Sequence, residues 1–452
     1  MHSARTSAAK PTLNRIFEPT GIMNSLDGYR PRAAWMTTLM LTALALVNFL
    51  DKIVLGMVAV PLMRDLNLSP AQFGVVAGSF FWLFAVSTVL VGFLSNRIQT
   101  RWLLLAMGIM WAVLQIPQAI FSSMAAFLVS RVVLGAAEGP FYPVSVHALY
   151  KWFPDEKRNM PVALLNQGAV VGLLLAGLLI PVVTHHWGWR MNFVALGIIG
   201  AVWSVLWLCV GREGNLVQRP RAHAGADASP QKVPYRRLLS NPTILCVFFL
   251  GFAGYWMLGA NMTWLPTYLE KALGFSGIAS GRWFALVIAT AAPFSLGLSW
   301  LSQRMLARGA SSRNARVRLL CAAFAGGACG FFALMLPGLA PVQKVAVFAL
   351  AGALPTVCFA LAPALLSEIV PDAQRGALIG IHTALASTGA AIAPMLIGRI
   401  VQAHGSASAH AYELGFATSA AMLILAALAA LRWLHPGRSR RTSGEQVATS
   451  AA

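Results

Sequence analysis

Twelve apolar stretches dominate this 452-residue chain, each close to the ~20 residues that cross a bilayer as a helix. They run near 34–62, 70–95, 102–121, 124–149, 160–183, 190–210, 242–269, 280–302, 317–336, 343–368, 377–401 and 411–433. Only 11% of the residues are charged and 58% are hydrophobic, whereas a soluble globular domain carries about 25% charged residues. The pattern predicts an all-α polytopic membrane protein, embedded in the lipid bilayer, with twelve transmembrane helices.

The formal net charge of +20 raises nucleic acid as a partner, and the placement of the charges argues against it. Basic residues gather in the short gaps between apolar runs, with no basic stripe interleaved with aromatics. Of the 34 Lys and Arg, 26 fall on one side of the predicted spans and 6 on the other. Lys52 and Arg131 remain, inside spans. By the positive-inside rule both termini and the central linker are cytoplasmic, as for a protein of the cytoplasmic (inner) membrane. Cys209, Cys246, Cys321, Cys329 and Cys358 show no metal-ligand or redox spacing and read as small packing residues. No metal or cofactor is expected. The N-terminus is polar and basic up to Arg32 and lacks the apolar core and cleavage site of a signal peptide.

The longest polar interruption, "GREGNLVQRPRAHAGADASPQKVPYRRLLSN", has a linker composition. It divides the chain into a cytoplasmic extension (1–33), a six-helix bundle (34–211), a cytoplasmic linker (212–241), a second six-helix bundle (242–434) and a cytoplasmic tail (435–452). The halves resemble each other. "LNLSPAQFG" (66–74) aligns with "LGFSGIASG" (273–281) at an offset of 207, and "FPDEKR" (153–158) with "VPDAQR" (370–375) at 217. Two six-helix pseudo-repeats are expected, as in transporters built from duplicated halves. Ser69 and Ser276 are candidate N-caps at matching positions.

Four charges stand well inside spans: Asp51 and Lys52 in the first, Arg131 and Glu138 in the fourth. Each costs ~2.5–3.5 kcal/mol at a helix centre on insertion scales. Arg131 and Glu138, seven residues apart, share one helix face about 10 Å apart. Asp51 and Lys52 are adjacent, so their side chains diverge by about 100°. One reading is that the four pair with each other and hold the two spans together, with Arg131 snorkelling to water. The other is functional, because a buried carboxylate with rearranging cationic neighbours is a device for taking up and releasing a proton. Tyr142, Asn166, Gln167 and Asn261 are candidate hydrogen-bonding partners for a substrate, or else satisfied interhelical contacts. His382 is a titratable candidate or a packed neutral ring. Phe80, Phe81, Trp82, Tyr255 and Trp256 line a cavity or serve as packing.

The segments "NFLDK" (48–52), "RVVLGAAEGPFYP" (131–143), "KWFPDEKR" (151–158), "WGWRMNF" (187–193) and "WLPTYL" (264–269) carry a resemblance to the major facilitator superfamily. Within it the chain resembles the anion:cation symporter family of organic-anion transporters, over roughly residues 34–435. It departs from the superfamily's loop pattern between the second and third helices: Asn96 stands where the acid is usual and Gln99 where a glycine is, and Gln303 replaces the acid in the second copy. Lys52 stands where the family commonly has Arg.

The resemblance implies that Asp51 and Glu138 take part in proton coupling and that Lys52 contacts a substrate carboxylate. Arg131 joins Lys52 as a substrate-binding candidate. The expected function is proton-coupled symport of a small organic anion by alternating access, by a monomer that is not an enzyme and has no catalytic residues. An efflux pump or uncoupled facilitator on the same fold is the alternative. Sugar acids, dicarboxylates and aromatic acids all fit as the anion.

Overall fold

The structure, a computed structural model, describes residues 29–95, 97–216 and 233–437. The extension before Tyr29, Asn96, the middle of the linker and the tail after Gly437 lie outside the described residues. Among the described residues twelve helices are long and apolar enough to cross a membrane: α1 Pro31–Met57, α2 Pro70–Leu94, α3 Thr100–Ile120, α4 Met124–Tyr150, α5 Asn159–Trp187, α6 Arg190–Val210, α7 Pro242–Ala272, α8 Gly277–Ala307, α9 Arg313–Ala333, α10 Pro341–Ile369, α11 Gln374–His404 and α12 Ala409–Trp433. They match the twelve apolar stretches one for one. α1 ends earlier than expected, at Met57, and a short helix, Ala59–Asp65, follows it.

Local chemistry sets where several spans begin. Ser69 accepts from the Gln72 N–H at 3.2 Å while Gln72 accepts from the Ser69 N–H at 2.9 Å, a reciprocal cap on α2. Ser276 accepts from the Ala279 N–H and caps α8. Asn241 accepts from the Thr243 N–H at the start of α7, where Pro242 fills the first turn.

Alternation of the spans puts the start of α1, the linker and the end of α12 at one end of the molecule. Trp35 and Phe153 meet there edge to face at 5.4 Å, and Thr243 Oγ1 donates to the Trp433 carbonyl. At that end the residues after α6 fold across the starts and ends of their neighbours. Glu213 accepts from the Thr100 and Arg101 N–H groups, from Thr100 Oγ1 and from Lys151 Nζ. Burial alone would raise the Glu213 carboxyl. The hydrogen bonds from Lys151 and from the first turn of α3 outweigh it and hold the group below the ordinary carboxylate value.

The first six and last six spans touch closely at the opposite end. Phe73 of α2 and Trp264 of α7 meet edge to face at 5.4 Å, and the Ala71 N–H donates to Gln402 Oε1 at 3.3 Å. Gly56 lies directly on the Met262 and Thr263 backbone, where any side chain would overlap a carbonyl.

Three spans are interrupted near mid-depth. α2 has a turn at residues 80–83. α4 breaks at Gly139–Pro140, where proline lacks the N–H that would continue the helix. α10 tightens to a 3-10 turn at Leu354–Val357. The breaks in α2 and α4 seat on each other through Gly135, which leaves room for the Phe80 carbonyl. The breaks in α4 and α10 fall at matching positions under the 217-residue offset. Under that offset Arg131 and Glu138 correspond to Phe348 and Pro355, both buried and apolar. At these two positions the charge belongs to the first half alone.

Candidate functional site

α1 and α4 bring the four membrane charges together in alternating order. Asp51 Oδ1 lies 3.9 Å from Arg131 Nη1, and Lys52 Nζ lies 3.6 Å from Glu138 Oε2. The adjacency of Asp51 and Lys52 explains the pattern: side chains diverging by about 100° cannot share one partner. The two acids are close enough to interact electrostatically.

Two neutral side chains complete the cluster. Asn48, one turn before Lys52, accepts from Lys52 Nζ at 2.6 Å and donates to Glu138 Oε2 at 2.6 Å. Gln115 of α3 donates to Asp51 Oδ2 at 2.7 Å. The sequence reading missed both. The signal for Asn48 was its spacing of four residues from Lys52 on one helix face; Gln115 carried no comparable mark.

Burial grades the four charges. The side chains of Asp51, Arg131 and Glu138 are 2%, 2% and 0% exposed, and that of Lys52 is 12% exposed. Arg131 therefore does not snorkel to water. Its guanidinium is held between Asp51 and the Phe80 ring, 5.9 Å away. Among the described residues Asp51 Oδ1, Glu138 Oε1 and Arg131 Nε and Nη1 have no hydrogen-bond partner. The cluster is balanced in charge and incompletely hydrogen-bonded, which favours exchange of partners over a fixed brace.

The remaining candidates divide. Tyr142 is half exposed just past the α4 break and meets the Asn166 side chain of α5. Tyr255 of α7, in the other half, lies within electrostatic reach of Tyr142. Gln167 is exposed on α5. Asn261 lies against Gly352 of α10, with its Oδ1 unpaired. Trp256 is packing: it is buried and its indole N–H donates to Thr418. His382 is also packed, buried against Gly251 and Phe248 of α7. Trp82 is exposed, and Phe80 and Phe81 stack edge to face.

The profile described as Major Facilitator Superfamily matches residues 41–348 and 311–451. The chain belongs to the Major Facilitator Superfamily. Members similar to it include the hexuronate transporter of Bacillus subtilis (strain 168), 26% identical over 415 residues, covering 88% of this chain and 94% of that protein. The probable sulfoacetate transporter SauU of Cupriavidus necator is 26% identical over 407 residues, covering 85% and 90%. The probable galactarate/D-glucarate transporter GarP of Escherichia coli (strain K12) is 24% identical over 371 residues, covering 70% and 83%.

Solved superfamily structures agree on the fold. An inward-facing bacterial homolog of the human lysosomal transporter Spinster superposes with a TM-score of 0.72 at 18% identity, covering 91% of this chain and 98% of that one. A D-xylose-proton symporter gives 0.69 at 17%, covering 89% and 98%. The chain is thus a superfamily transporter and not an enzyme, with anion transporters among its relatives.

Proposed function

We propose that this transporter is a proton-coupled symporter of a small organic anion, a carboxylate, working by alternating access. The observation that carries the reading is the neutral four-charge cluster with one cation, Lys52, partly open. A carboxylate arriving at Lys52 leaves the buried cluster one negative charge in excess, which is costly at mid-membrane. A proton on Asp51 or Glu138 restores the balance and relieves the repulsion between those two acids. Substrate and proton are then best carried together. Arg131 holds Asp51 and comes within reach of substrate only if that pair opens, while Tyr142, Asn166, Gln167 and Asn261 supply neutral contacts.

The names of the relatives support an anion, and the 26 to 6 division of basic residues supports cytoplasmic termini and linker in an inner membrane. With the linker inside, close contact at the far end corresponds to an inward-open state of a monomer. Labelling of a cysteine placed at Ala224 with an impermeant reagent checks the orientation: in whole cells it should stay unlabelled, and rapid labelling contradicts it. The coupling is checked in proteoliposomes. An inward-acid to outward-acid reversal of the pH gradient should reverse the direction of anion accumulation. Anion flux indifferent to the gradient would favour an uncoupled facilitator.

A further inference from the structure

Aromatic side chains beside the cluster and on the second half bear on what a substrate with its carboxylate at Lys52 carries besides that charge. Lys52 Nζ is flanked by the rings of Phe49 and Phe84, 4.6 and 5.4 Å from their centroids. In the second half, Tyr255 lies within electrostatic reach of Tyr142, one turn after Glu138 on α4, and meets Phe359 of α10 edge to face at 5.5 Å. Phe359 is 38% exposed and Tyr142 50% exposed, so ring faces are left open on both halves.

Among the described residues, the interiors of α7, α8, α10 and α11 offer no second permanent cation. Pro242–Thr267 of α7 contains no charged residue. The interiors of α8 (283–303) and α10 (345–367) contain none either, and that of α11 (376–398) contains only His382, which is packed against α7. A second carboxylate placed there would be buried without a partner, at a cost well above that of an apolar group. A polyol would have to draw its donors and acceptors from Tyr142, Asn166, Gln167 and Asn261, because the Tyr255–Phe359 pair presents rings.

We propose that the site takes a monocarboxylate with an apolar, ring-sized body, its carboxylate at Lys52 and its body against Tyr255 and Phe359. This deepens the symport reading and rests on it. It sets the chain apart from relatives named for aldaric acids. The Tyr255–Phe359 pair is the specificity-determining element, because edge-to-face and offset ring contacts add to simple area burial.

The test is calorimetric affinity of the purified full-length protein for phenylacetate, glucuronate and glucarate, alongside melting temperature. Phenylacetate should bind most tightly. Phe359→Ala should weaken it about tenfold and weaken glucuronate by a smaller factor, so that the preference for phenylacetate narrows. Phe359→Leu, which keeps bulk but not the ring, should fall between the two and guards against a misfolded alanine variant. Tighter binding of glucuronate or glucarate than of phenylacetate overturns the inference and leaves proton-coupled anion symport standing. Binding of none of the three also overturns the inference, and the pH-gradient flux measurement then decides the symport reading separately.

Discussion

Lys52 of α1 and Glu138 of α4 stand 3.6 Å apart inside the membrane, with Asn48 hydrogen-bonded to both. Asn48 offers its carbonyl to the ammonium and its amide to the carboxylate. Either charge can therefore leave its partner and keep one hydrogen bond. That is the arrangement expected of a pair that separates during a transport cycle.

Lys52→Ala should weaken substrate binding about 10- to 100-fold, the loss of one charge-assisted hydrogen bond. Lys52→Arg should retain binding and shift preference among acids, because a guanidinium engages both carboxylate oxygens. Calorimetry and melting temperature are measured together. Unchanged affinity with a large fall in melting temperature would mean that Lys52 only braces Glu138.

Gln115→Leu removes the neutral donor to Asp51 Oδ2. A buried carboxylate then loses a partner, which costs about 1–3 kcal/mol. The expected result is a lower melting temperature at neutral pH. The deficit should shrink in the double variant Gln115→Leu/Asp51→Asn, in which no charge is left to solvate. Additive losses in the double variant would show that Gln115 does not act through Asp51.

Much of this was legible in the sequence. Span number follows from hydrophobic run length, and the N-caps at Ser69 and Ser276 follow from side-chain chemistry. The four charges stand out because lipid excludes charge so strongly. Their pairing was only half legible. Helix geometry separated Asp51 from Lys52, but which acid meets which cation depends on the relative rotation of α1 and α4. Asn48 and Gln115 escaped because a neutral amide is cheap enough in a helix bundle to carry no signal. The mid-span breaks in α2 and α10 were hidden in continuous apolar runs. Glu213 sat in a segment whose composition reads as linker, although its carboxylate ties down α3 and α4.

Glu213 predicts a pH dependence. Its carboxyl is held below the ordinary value of 4.5 by Lys151 and the first-turn N–H groups of α3. A depressed folded-state pKa contributes stability that is fully present above the unfolded value and is lost as pH falls through the folded one. Wild type should therefore lose melting temperature below about pH 4.5 more steeply than Glu213→Gln, which lacks that contribution throughout. Parallel melting curves for the two proteins between pH 7 and pH 3 would remove Glu213 as a titrating tie.

The central claim is that the buried acids Asp51 and Glu138 carry protons with the anion. The most direct measurement follows internal pH with a trapped dye in proteoliposomes after adding a transported anion outside, with no imposed gradient. Wild type should acidify the interior as the anion enters. Asp51→Asn and Glu138→Gln should bind anion yet give no acidification, and Asp51→Asn should still support anion-for-anion exchange. Full acidification by both variants would contradict the account.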